Sequence, residues 1–294
     1  MRAESQCPHA DLVGGNEEGI VINSESKIVF IHKGQSWYLP YVLNQARAVS
    51  PESEVVLIGD YSPCPAVTVI PVQDLLSAGA GSFIRNYVHM NTNPQEFELL
   101  CWLRWFYLLE YMRRHKVESV LYLDSDVLLF SSMTEMGIAY PDGSYAGGYL
   151  IPKQDPTSLM WAASGHVSYW TQELLERFCV FCTNSFISKR YMDLYRDKWI
   201  WHLNQHKLGG ICDMTGLYLF WNENKDRIQN LAVNSNGNVF DYHINLTSNY
   251  DEGEYIAESG RKKIKWMDMH PHWNKKDGLK SLVRVHAFHF QGGA

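Results

Sequence analysis

The chain has 294 residues, of which 46% are hydrophobic and 20% charged, with a formal net charge of −6. That is long enough to bury a full core, and the negative balance argues against a nucleic-acid-binding surface. No run of about 18 apolar residues occurs, which excludes a membrane-spanning helix from the reading.

Residues 1–26 are polar and rich in Gly, Glu, Asn and Ser, and read as a mobile leader without the apolar segment of a signal peptide. Six cysteines (Cys7, Cys64, Cys101, Cys179, Cys182 and Cys212) show no disulfide-framework spacing, so a reducing, cytoplasmic setting is expected. Cys179-Val-Phe-Cys182 is a lone CxxC without a second ligand pair, and packing accounts for it better than zinc. Residues 27–32 form the first buried strand, 36–49 a helix with Pro40 in its first turn, 54–60 a second strand and 67–71 a shorter third. This order predicts an α/β fold with an open, mostly parallel sheet. Residues 82–94 read as a loop and 94–116 as a long helix. Beyond residue 130, a strand is expected over 145–151 and an irregular stretch over 152–166. Helices follow over 173–182 and 188–203. Gly209-Gly210 opens a turn into residues 211–216 and an aromatic helix ending at Trp221. Residues 222–281 are polar and turn-rich, with short strands near 228–233 and 239–244. The end is a strand running into a Gly-rich tip. Without an internal repeat or a linker, residues 27–294 read as a single domain.

The chemistry centres on Asp124 and Asp126, which interrupt an apolar run of four residues on each side. Acids in such a run are costly unless the strand ends there and a cation meets them. On extended backbone, residues i and i+2 share a side, so both carboxylates could reach one ion. Paired oxygen ligands suit Mg²⁺ or Mn²⁺, commonly shared with substrate phosphates. The alternative is a pair of acids capping a strand end. A haloacid-dehalogenase-type phosphatase is disfavoured, because no later acidic pair supplies its metal ligands. A nucleotidyltransferase is disfavoured too, because no Gly-rich, Arg-bearing loop follows the first strand.

Four segments together resemble the nucleotide-sugar glycosyltransferases of the GT-A fold, with the nearest likeness to the family 8 (glycogenin-like and galactosyltransferase) group. Arg104 lies in a helix leading into Leu121-Tyr-Leu-Asp-Ser-Asp126, similar to the family's Arg-bearing helix before Tyr-Leu-Asp-x-Asp. Ser164-Gly165 resembles its Asn-Ser-Gly loop, Cys212-Asp213-Met214 its Asp-Gln-Asp helix start, and His289-Phe-Gln-Gly292 its terminal His-Phe-x-Gly motif. The resemblance implies a nucleotide-binding half over 27–130, an acceptor-binding half over 131–294 and a small antiparallel C-terminal part.

It also implies roles. Asp124, Asp126 and His289 would hold Mn²⁺ or Mg²⁺ on the donor diphosphate, the imidazole tilting the choice toward Mn²⁺. Arg104 would contact the donor, or else pair with a structural acid. Gly292 would let backbone approach the diphosphate, and Ser125 would touch the ribose. His32 and Asp60 are candidates for the base and ribose, although Asp60 equally suits a cap on the turn that follows it. Asp213 would act as base or charge stabiliser, or cap the helix from Met214, and His166 would line the acceptor site or lie on the surface. His286, three residues before His289, is expected to face away from it. The implied partners are a nucleoside diphosphate sugar, UDP or GDP, and a glycan, glycolipid or glycoprotein acceptor. A catalytically inactive binding module on the same fold is the competing reading. The departures are Ala163 in place of the family's Asn, no second acid after Met214, and an end one residue short of the family's Lys. The last leaves open a longer protein.

Overall fold

The computed structural model describes residues 26–139, 145–155, 157–277 and 281–291. The first strands and helices follow the expected order: β1 (Lys27–His32), α1 (Leu39–Val49), β2 (Val55–Gly59) and β3 (Thr68–Ile70). After a 3₁₀ turn come α2 (Ala78–Asn86), α3 (Gln95–His115), β4 (Ser119–Leu123), β5 (Val127–Leu129), α4 (Met133–Ala139) and β6 (Gly147–Leu150). The second half contains β7 (Ser164–Thr171), α5 (Gln172–Ser185), α6 (Lys189–Asn204), α7 (Asp213–Glu223), β8 (Ile228–Asn230) and β9 (Asn238–Val239). The small C-terminal strands are β10 (Ala257–Glu258), β11 (Arg261–Lys262), β12 (Ile264–Met267), β13 (His270–Asn274), β14 (Leu282–Val285) and β15 (Ala287–His289).

The main sheet has the order β3-β2-β1-β4-β7-β6-β8. All its neighbours pair in parallel except the two contacts of β7, which runs against the rest. Smaller antiparallel pairings lie in the C-terminal third. This is the expected α/β architecture: a mostly parallel sheet with helices on its faces. Period-2 alternation divides its core. Val29, Val56, Val120 and Tyr122 face a layer containing α3, α5 and α7. Ile28, Phe30, Leu121 and Leu123 face α1 and the start of α4 on the other side.

Two expectations are corrected. The loop expected over 82–94 begins inside α2, despite the poor helix propensity of Gly79 and Gly81. Ser77 accepts a hydrogen bond from the Ala80 amide as the N-cap, and Phe83 is fully buried against Trp102 and Phe106. Residues 164–166, expected to be irregular, belong to β7, whose eight residues are all buried. A strand covered on both faces lacks the apolar–polar alternation that would mark it in the sequence. The CxxC cysteines are free and buried in α5, as packing required.

Helix α3 organises one face. Glu96 and Glu98 stand in its first turn and Arg113, Arg114 and His115 in its last, which suits the helix dipole. Lys116 closes it in the left-handed region at φ 54°. Its Trp105 ring lies so close to β7 that a Cβ on Gly165 would stand 2.5 Å from it. Gly165→Ala is therefore expected to destabilise by about 1–3 kcal/mol through overpacking, read as a lowered urea midpoint at unchanged slope.

The C-terminal part packs its own core around Trp273, Val283, Val285 and Phe288. His286, fully buried at the joint between β14 and β15, bonds Ser131 Oγ through Nδ1 at 2.6 Å. Burial, aided by the Arg284 charge, lowers its pKa to about 3. It therefore stays neutral when folded but takes a proton below about pH 6.5 when unfolded. Its contribution falls as pH drops from 6.5 toward 3, reaching a loss of about 2 kcal/mol at pH 5. Urea unfolding of the wild type and His286→Leu at pH 7 and pH 5 checks this: the variant should lose less stability on acidification.

Candidate functional site

The parallel register of β1 and β4 sets Phe30 against Leu123, so both strands deliver their carboxyl ends to one crevice. At that point the Asp124 amide donates to the His166 carbonyl at 2.8 Å, and the Val127 amide returns to the Asp124 carbonyl at 3.1 Å. Asp124-Ser125-Asp126 is thus a tight turn between β4 and β5, rather than one continuous extended run. The two carboxylates owe their placement to this turn, not to strand alternation.

Strand β15 pairs antiparallel with β5, setting His289 opposite Val127. Strand β15 therefore folds back onto the acidic turn, with His289 Nε2 3.8 Å from Asp126 Oδ1. His289 Nδ1 lies 2.8 Å from the Tyr242 carbonyl. A carbonyl only accepts, so Nδ1 carries a proton, and Nε2 is the ring nitrogen that faces Asp126. Among the described residues, no side chain hydrogen-bonds the Asp126 carboxylate. No three ligand-type side chains among them are gathered tightly enough to hold an ion as they stand.

His166 lies beneath His289, ring on ring at 3.8 Å and 17°. It is 1% exposed, so the surface alternative fails, and both its nitrogens are engaged. Nε2 donates to the Asp241 carbonyl at 2.8 Å, and Nδ1 accepts from Ser164 Oγ at 2.6 Å. Burial, reinforced by His289, holds its pKa well below the usual imidazole range. Its contacts support the ring above and leave neither nitrogen for an acceptor.

Arg104 joins two acids. Its Nη1 donates to Asp124 Oδ1 at 2.8 Å, while Nε and Nη2 reach Asp213 Oδ2 at 3.1 and 2.5 Å. The guanidinium lies 5.0 Å from the Trp105 ring centroid and 5.7 Å from that of Tyr122. Trp105 Nε1 also donates to Asp213 Oδ2, and Tyr122 Oη donates to Asp124 Oδ1. Asp213 is 2% exposed at the start of α7, its carboxylate turned to Arg104 and Trp105 rather than to the helix amides.

The donor candidates divide. Ser125 Oγ and His32 Nδ1 lie 2.8 Å apart across the ends of β4 and β1, whereas His32 Nε2 is buried without a partner. Burial lowers the His32 pKa, and Asp126 partly opposes this. Asp60 is exposed just beyond β2. Gly292 lies outside the described residues.

The sequence reading missed Tyr122, Trp105 and Tyr242. Tyr122 was accessible by strand alternation, two residues before Asp124. Tyr242 acts through its carbonyl, which no side-chain motif announces. Tyr242 also lines a cleft of about 250 Å³ with Gln154, Asp155, Met160 and Trp161. No described helix is long and apolar enough to cross a membrane.

No protein-family model matches the chain, and no curated protein matches its sequence. Among solved structures it is similar to mouse xyloside xylosyltransferase 1 at 10% identity and a TM-score of 0.47, covering 70% of this chain and 84% of that one. The PaToxG glycosyltransferase matches at 13% identity and 0.38, over 68% and 70% of the two chains. A cytidylyltransferase from Leptospira borgpetersenii matches at 13% and 0.31, over 52% and 63%. These likenesses are loose, and the functional reading rests on the residues of the site.

Proposed function

We propose that the chain is a metal-assisted glycosyltransferase, moving a sugar from a nucleoside diphosphate, UDP or GDP, to a hydroxyl of a glycan, glycolipid or glycoprotein. The observation that carries this is the return of His289 to the acidic turn, its Nδ1 tied to a carbonyl and its Nε2 facing Asp126. That is the arrangement of a ligating histidine held from behind by a backbone acceptor. The donor set fits Mn²⁺ or Mg²⁺: two carboxylates and an imidazole beside a crevice where α/β sheets bind ligands. Asp126 and His289 would hold the cation, with Asp124 joining through the oxygen not bonded to Arg104. A divalent cation there would neutralise charge on the departing diphosphate.

The remaining roles belong to the chain itself. Arg104 is held between Asp124 and Asp213, which fixes its position for the donor. Asp213 acts by orienting Arg104, since its carboxylate faces Arg104 and Trp105. His32, steadied by Ser125, stands at the carboxyl end of β1, where it would flank an incoming donor. The cleft beside Tyr242 and Trp161 would receive the acceptor. One observation favours the competing reading of an inactive binding module: neither Asp213 nor His166 is free to deprotonate an acceptor hydroxyl. Donor hydrolysis and transfer assayed over a panel of nucleotide sugars with Mn²⁺ decide between them. Turnover of any donor supports the enzyme. Metal-dependent binding with neither hydrolysis nor transfer across glycan acceptors favours the module.

A further inference from the structure

Behind His289 lies an ion pair that the roles above leave unused. Lys262 Nζ and Asp241 Oδ1 are 2.8 Å apart, and both side chains are 0% exposed. The ammonium also donates to the His243 carbonyl at 2.8 Å and stands 4.3 Å from the Trp273 ring centroid. Asp241 distributes its acceptors to the neighbouring backbone. Oδ1 takes the His243 amide at 3.0 Å, and Oδ2 takes the His289 amide at 3.1 Å. Its carbonyl receives His166, and the next carbonyl, that of Tyr242, receives the His289 ring. The Ile244 amide closes the segment onto the His289 carbonyl at 3.2 Å. Residue 289 is thus held at amide, carbonyl and ring by residues 241–244, and the geometry of that segment is set by Lys262 and Asp241.

A fully desolvated pair is a poor source of stability, because apolar residues of equal volume commonly serve as well. What it supplies is direction: a short strand at the end of the chain is given one register and one ring orientation. We propose that Asp241 and Lys262 are positioning residues for His289, and that they set the affinity of the Asp124, Asp126 and His289 centre for a divalent cation. The affinity clause rests on the metal reading above; the positioning clause does not.

The test uses the full chain with Asp241→Asn and Lys262→Met combined, near-isosteric changes that leave no buried charge alone. Three quantities are read: the melting temperature, amide hydrogen exchange at residues 287–289, and Mn²⁺ affinity of metal-free protein by titration calorimetry. The double variant should melt close to the wild type, exchange the 289 amide at least about 10-fold faster, and bind Mn²⁺ about 10–100-fold more weakly. Should it fail to fold, Asp241→Glu keeps both buried charges while displacing the carboxylate from the His289 amide, and should shift exchange and affinity in the same direction. Wild-type exchange in a folded variant would overturn the positioning role, and wild-type Mn²⁺ affinity would overturn the affinity clause. If the wild type itself binds no Mn²⁺, the metal reading and the affinity clause fall together, and exchange at residue 289 still decides the positioning.

Discussion

Asp126→Ala is expected to lower donor turnover by about 10³-fold or more while leaving the fold intact. Asp126 is partly exposed in the turn after β4, and no described side chain hydrogen-bonds its carboxylate, so little packing depends on it. Its removal takes away the carboxylate facing His289, and with it a charge that would hold the cation on the leaving diphosphate. Metal assistance contributes several kcal/mol to such a departure, and each 1.36 kcal/mol is about tenfold in rate. Steady-state kinetics at saturating Mn²⁺, beside a thermal melt within about 2 °C of the wild type, checks both halves. A variant retaining most of its turnover would remove Asp126 from the chemistry.

The second large effect is on stability. Arg104→Met should destabilise by about 3–5 kcal/mol, because it strands Asp213, whose side chain is 3% exposed, and frees Asp124 from its partner. The melting temperature should drop by about 10 °C. Arg104→Lys should recover only part of this, since one ammonium cannot reproduce the fork that serves both acids. Adding Asp213→Asn to Arg104→Met should restore some stability by removing the uncompensated charge, a non-additive result that a double-mutant cycle reports. A fully additive cycle would mean that the bridge of Arg104 and Asp213 carries little energy.

These two residues also show what could be read from the chain. The apolar runs of β1, β2 and β4 and the long apolar positions of α3 carry their own periodicity, so the parallel half of the sheet was legible. Asp124 and Asp126 stood out because acids inside an apolar run demand a reason. The reversed strand β7 was not legible, since burial on both faces erases alternation, and Ser164, Gly165 and His166 mimic a loop by composition. α2 was hidden by its two glycines, whose propensity is overridden by the Ser77 cap and the burial of Phe83. The return of β15 to β5 was reachable only through a terminal motif, because no local pattern reports a pairing between strands so far apart. The duties of His166 and Asp213 went astray for one reason. A polar residue beside a Gly or a helix start suggests an open site, whereas burial and hydrogen bonding turn both inward.

The central claim is a metal-dependent diphosphate site at the acidic turn, and calorimetric titration of the wild-type chain with UDP and GDP, with and without Mn²⁺, tests it most directly. The account predicts measurable binding of at least one nucleotide with Mn²⁺ present, at least about 10-fold weaker binding without it, and loss of that metal effect in Asp126→Ala. Binding that is equal with and without Mn²⁺, or unchanged in Asp126→Ala, would contradict it.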